Sequence, residues 1–222
     1  MTVELAYDVS GEPGAPAMVL LHALGDDRST WARVCAAFAG THRVYAPDLR
    51  GTGGSPWPGE YSFELMRDDV LAFLAAHELT GVTLVGHSMG GTVACLVAEN
   101  DPARLARLVL EDTPPPRAPK EPRPVPDRPI QLPLSLDWAL ITSLIRQLNA
   151  PDPAWWERAA QVAVPTLILA GGPDSTVPQD QLAELAGWMP DARLVEIPVG
   201  HHVHRERHDE FCATLRAFLD GN

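Results

Sequence analysis

The sequence predicts an α/β fold, a mostly parallel, doubly wound sheet with helices on both faces. Three observations carry this prediction. Stretches such as MVLLH, VTLV and TLILA are continuously apolar, and a strand of that kind must be covered on both faces. Amphipathic segments of roughly ten residues or more separate them, long enough for right-handed crossovers between parallel strands. The early Val3–Val9 segment instead alternates polar and apolar residues, as an antiparallel edge hairpin would.

The elements follow in chain order. Met18–His22 reads as a buried strand, and STWARVCAAFA as a helix capped at Ser29 or Thr30. Arg43–Pro47 is the next strand. Ser62 can cap a helix running to about Leu79, with Phe63, Met66, Val70, Phe73 and Leu74 on one face. Val82–Val85 is a strand and Met89–Glu99 a helix. Leu108–Leu110, Thr166–Ala170 and Leu194–Ile197 are further strands, and a helix over Arg205–Leu219 closes the chain. From Thr113 to Pro133 proline recurs every few residues, which excludes helix and central strand and predicts extended, exposed backbone. Two helices follow, over Ser135–Leu148 and from Asp152-Pro153. The reading is one domain over 1–222, with a core of 1–112 and 161–222 and a lid-like insertion over 113–160.

At 222 residues, 45% hydrophobic and 21% charged, the chain suits a single globular domain. A net charge of −12 disfavours nucleic acid or an anionic membrane as partner. Cys35, Cys95 and Cys212 are odd in number and set in apolar or helical patterns, the usage of buried thiols. With neither a signal-peptide pattern nor an apolar run of membrane-spanning length, a cytoplasmic location is expected.

Gly86-His87-Ser88-Met89-Gly90 matches G-x-S-x-G, directly after an apolar strand and opening an apolar helix. That is the setting of a nucleophile elbow, where a sharp turn projects a serine and crowding demands small neighbours. A serine needs a base. His201 follows the last strand, so it shares the rim beyond the strands' carboxyl ends where catalytic groups gather; His202 beside it is the competitor. The orienting carboxylate is expected at Asp174, just past TLILA, with Glu111 and Asp112 as alternatives. Two N–H donors for an oxyanion are expected from Leu24, in the turn after the first long strand, and Met89, at a helix start.

Together LLHALG, DLRGTGGS, VGHSMGG, GGPDSTVP and GHHVHRERHDEF resemble the α/β-hydrolase superfamily, in the branch of small esterases, enol-lactone hydrolases and cofactor-free haloperoxidases. The likeness runs nearly end to end. It implies a Ser–His–Asp hydrolase acting on an ester, lactone or similar acyl bond of a small molecule, with no cofactor. It also implies bracing roles for Asp48 and Arg50. Ala23 departs from the usual glycine of the family, His208 stands where proline is common, and the insertion after Asp112 is shorter and richer in proline than the usual cap.

Other readings use the same residues. A perhydrolase or haloperoxidase would run on the same triad, and a non-catalytic ligand-binding protein could keep the fold alone. His201, His202, His204 and His208 invite a metal, but no Cys or acidic ligand is linked to them by motif, and none is expected. His22 and His87 are read as structural.

Overall fold

The computed structural model describes residues 1–127 and 135–221. Its seven-stranded sheet has the order β1-β3-β2-β4-β5-β6-β7. The strands are β1 (Tyr7–Ser10), β2 (Ala17–Leu21), β3 (Arg43–Pro47), β4 (Val82–His87), β5 (Leu105–Glu111), β6 (Thr166–Ala170) and β7 (Ala192–Glu196). Every pairing is parallel except that of β1 with β3. The alternating N-terminal segment is thus an antiparallel edge, as its pattern suggests. It does not form a hairpin with its neighbour in sequence, because β3 takes the place beside β2.

Successive residues of the central strands divide between two cores. Val19, Leu21, Leu84, Leu108, Leu110 and Ile168 pack on one face, with α2 (Phe63–Ala76) and α3 (Met89–Asn100). Met18, Leu20, Val85, Val109, Leu167 and Leu169 pack on the other, against α1 (Ala32–Phe38) and α8 (His208–Leu219). All twelve of these side chains are fully buried, the two-sided covering that continuously apolar strands require.

Between β5 and β6 lie α4 (Trp138–Asn149) and α5 (Trp155–Ala159). Leu140, Leu144, Trp155 and Trp156 join the first core, so this excursion is packed down on the molecule. Residues 113–127 form no helix or strand, and most are exposed from Arg117 onward. The rest of the proline run, 128–134, lies outside the described residues. Two arginines fasten the segment: Arg117 pairs with Glu184 and lies 3.7 Å over the Trp156 ring, and Arg123 exchanges hydrogen bonds with Asn149.

Several boundaries differ from the sequence reading for local reasons. Asp27, not Ser29 or Thr30, accepts the capping bond, and a 3₁₀ turn over Arg28–Trp31 precedes α1. Asp137 caps α4, which therefore starts at Trp138. The last helix is broken into α7 (Val203–Glu206) and α8, with non-helical dihedrals at Arg207. One helix, α6 (Gln179–Trp188), escapes the sequence reading altogether; only Leu182 and Leu185 are buried on it, too few for a clear apolar stripe. Among the described residues no helix is long and apolar enough to cross a membrane.

The strand order fixes where chemistry can occur. From β2 the chain steps to β3 on one side and then to β4 on the other. The loops leaving β2 and β4 therefore diverge, opening a crevice at their carboxyl ends.

Candidate active site

Ser88 sits on that crevice, between β4 and α3, with φ 52° and ψ −114°. A non-glycine residue with positive φ stores strain, and it persists only where the surroundings hold it. Here the surroundings are tight. The Ser88 N–H donates to the carbonyl of Glu111, and the Ser88 carbonyl accepts from Thr92 N–H and Thr113 Oγ1. The flanking glycines are required by contact: a Cβ on Gly86 would lie 2.3 Å from the Gly90 carbonyl oxygen, and one on Gly90 would lie 2.3 Å from that of Leu21. The backbone of the elbow is locked while the serine side chain keeps access to solvent.

His201 enters from the loop after β7. The Gly200 N–H donates to Gly171 at 2.8 Å, and Gly200 adopts φ 89°. The His201 carbonyl accepts a 2.8 Å bond from His87 Nε2, and the two rings lie 4.7 Å apart. His87 adjoins Ser88 in sequence, so this bond ties the loop bearing His201 to the elbow.

His201 Nδ1 bonds Asp112 Oδ2 at 2.7 Å. The carboxylate can only accept, so Nδ1 carries a proton, and in the neutral ring the lone pair is on Nε2. Asp112, and not the expected Asp174, is therefore the carboxylate on this histidine. Asp112 follows the end of β5 with φ 48°, a kink that turns its side chain along the rim. It is fully buried and accepts three further bonds, from Gly171 N–H, Gln179 Nε2 and Ser175 Oγ. Burial alone would raise its pKa, but the bonds from His201, Ser175, Gly171 and Gln179 outweigh that and hold it below the usual carboxylate value. Asp174 is exposed. The loop after β6 contributes Ser175, which donates to Asp112, where the sequence predicts the carboxylate itself at Asp174.

Glu111, one residue earlier, faces the other way. Its carboxylate meets His204 Nδ1 at 2.8 Å and also accepts from the His204 backbone N–H, while His204 Nε2 reaches Thr30 Oγ1 at 3.0 Å. Trp31 stacks on the His204 ring. This Glu111–His204–Thr30 line, buried at Glu111 and His204, is not legible in the sequence, because its parts are remote in the chain.

Leu24 lies in the turn after β2, and Met89 opens α3. The first N–H groups of a helix have no acceptor within it. The turn is held by His22, whose Nδ1 donates to Ala23 and whose Nε2 accepts from Leu49 N–H. Asp48 braces the same region, accepting from Arg28 N–H, Arg28 Nη1 and Gly54 N–H, and Arg50 pairs with Asp69 inside the molecule. None of these reaches the crevice as a free reactive group, consistent with the bracing read from the sequence.

A family model described as the alpha/beta hydrolase fold matches residues 16–137. A putative carbamate hydrolase of Klebsiella pneumoniae is 30% identical over 86% of this chain and 85% of its own. An uncharacterized protein of Mycobacterium tuberculosis is 38% identical over 47% of this chain, but the match spans only 30% of that protein's length. Among solved structures, the enol-lactonase of Burkholderia xenovorans superposes with a TM-score of 0.83 at 25% identity, covering 98% of this chain and 97% of that one. The fold, the strained serine after β4 and these matches together place the chain in the α/β-hydrolase fold family.

Proposed function

We propose that this protein is a serine hydrolase that cleaves an ester, lactone or similar acyl bond of a small molecule through an acyl-enzyme. Ser88 Oγ attacks the carbonyl carbon and its proton passes to His201 Nε2. Asp112 holds the imidazole in the required tautomer and stabilises the imidazolium. The N–H groups of Leu24 and Met89 receive the oxyanion, where preorganised donors contribute most to the rate. The leaving oxygen takes the proton back from His201, and a water activated by the same histidine then releases the acid.

The observation that carries this reading is the His201 Nδ1–Asp112 Oδ2 bond of 2.7 Å on a loop tied through His87 to a strained, solvent-accessible serine. A fold-only binding protein has no need to bond a histidine to a buried carboxylate on a loop tied to such a residue. The names of the enol-lactonase and putative carbamate hydrolase relatives point to the same class of bond.

A panel of p-nitrophenyl esters and lactones tests it. Turnover by the wild-type protein, falling on the order of 10⁴-fold or more in Ser88→Ala, is the expected result. Retention of most activity by well-folded Ser88→Ala would overturn the mechanism.

A further inference from the structure

A second group of side chains converges beneath the crevice. Asp26, His87 and His202 each present one potential ligand atom, and these atoms lie within 4.8 Å of one another. Asp26 Oδ2, His87 Nδ1 and His202 Nδ1 are all buried, and none has a hydrogen-bond partner among the described residues. Buried polar atoms are almost always paired, and three orphaned ones on side chains that converge to within 4.8 Å call for a common partner.

The chemistry of the three atoms limits that partner. His87 is fully buried, and its Nε2 bonds the His201 carbonyl, an acceptor. Nε2 therefore carries the proton, and Nδ1 offers a lone pair. Asp26 Oδ1 is engaged by Arg205 at 3.3 Å, which leaves Oδ2 to point inward. Two imidazole nitrogens and a carboxylate oxygen form a donor set for a divalent cation. The His87–carbonyl bond is the kind of outer contact that fixes the ring of a ligating histidine.

We propose that Asp26, His87 and His202 bind a divalent first-row transition ion of the zinc type, with a coordination position left open. Ligands of one tetrahedral zinc stand about 3.3 Å apart, so modest side-chain rotations close the set. A cavity of about 510 Å³ lined by Gly25, Asp26, Thr30, His204 and Arg205 reaches one of the three side chains, Asp26. The ligands come from the turn carrying Leu24, the end of β4 next to Ser88 and the loop carrying His201. A bound ion would clamp these segments together. The site stands whether or not the hydrolase reading does.

The test uses the full chain stripped with EDTA and desalted, titrated with Co²⁺ by visible absorption and with Zn²⁺ by calorimetry. One ion per chain is expected, with a ligand-field spectrum of low coordination number and a higher melting midpoint with zinc. Asp26→Asn and His202→Gln should each weaken binding at least ~10-fold, since loss of an outer-shell partner alone costs that much. His208→Gln, outside the cluster, should leave it unchanged. His202→Cys should retain Co²⁺ and add thiolate charge-transfer absorption in the near ultraviolet, placing the ion at that side chain even if another variant folds poorly. Repeating the titration on Ser88→Ala separates the outcome from catalysis. Absence of stoichiometric uptake, uptake indifferent to Asp26 and His202, or an ordered water bridging the three atoms in a zinc-soaked crystal would overturn the proposal.

Discussion

Replacing Asp112 with asparagine removes one charge while nearly preserving shape, and its consequences can be worked from the four bonds the carboxylate accepts. Gly171 N–H and Gln179 Nε2 meet Oδ1, while Ser175 Oγ and His201 Nδ1 meet Oδ2. An amide has one accepting oxygen and one donating nitrogen. If its oxygen faces His201, its NH₂ group confronts the donors of Gly171 and Gln179. If its nitrogen faces His201, the imidazole must turn its lone pair to Nδ1 and lose it from Nε2, where the base is needed. The equivalent change in the serine-protease precedent costs about 10⁴-fold in kcat, or about 5.5 kcal/mol of transition-state stabilisation. Mispairing at a buried site should also cost about 1–3 kcal/mol of stability. Asp174→Asn, at an exposed position, should change both by little. The assay is kcat on one ester for both variants side by side, with denaturant midpoints to separate folding from chemistry. A large loss for Asp174→Asn with a small one for Asp112→Asn would refute the reasoning.

Two further outcomes follow from the same geometry. Ser88 at φ 52° and ψ −114° holds a conformation that glycine adopts freely, so Ser88→Gly should be more stable than Ser88→Ala by about 1 kcal/mol or more; equal urea midpoints would show that the elbow stores no strain. His87, neutral in the fold with a pKa of about 4 against an ordinary 6.5, takes up its proton at a higher pH when unfolded. Its contribution, on the order of 3 kcal/mol, is present above pH 6.5 and lost as pH falls towards 4. Denaturant midpoints of metal-free protein at pH 7 and pH 5 should drop accordingly, and the drop should shrink in His87→Gln.

The parts of the fold set by local pattern were readable, and those set by tertiary contact were not. Apolar strands such as TLILA and the Ser62 cap announce themselves in a few consecutive residues. The elbow is equally legible, because the crowding at Gly86 and Gly90 dictates residue type directly. The helix Gln179–Trp188 is hidden because it lies on the surface with two buried leucines. The carboxylate on His201 is the instructive miss. Asp112 and Glu111 are adjacent, and strand alternation says correctly that only one can face the crevice. Which one does depends on the kink at Asp112, and on Gly171, Ser175 and Gln179 arriving from a loop about sixty residues away. No spacing in the sequence encodes that arrival. The aspartate at 174 held the familiar position, while its neighbour Ser175 made the contact.

The central claim is that Ser88 is a nucleophile activated by His201, and covalent capture tests it most directly. Treatment with a fluorophosphonate followed by intact-mass and peptide mass spectrometry should give one adduct per chain, located on the peptide containing Ser88. The adduct should be absent in Ser88→Ala and form far more slowly in His201→Ala. Protein that hydrolyses esters yet carries no adduct, or carries it on another residue, would contradict the account.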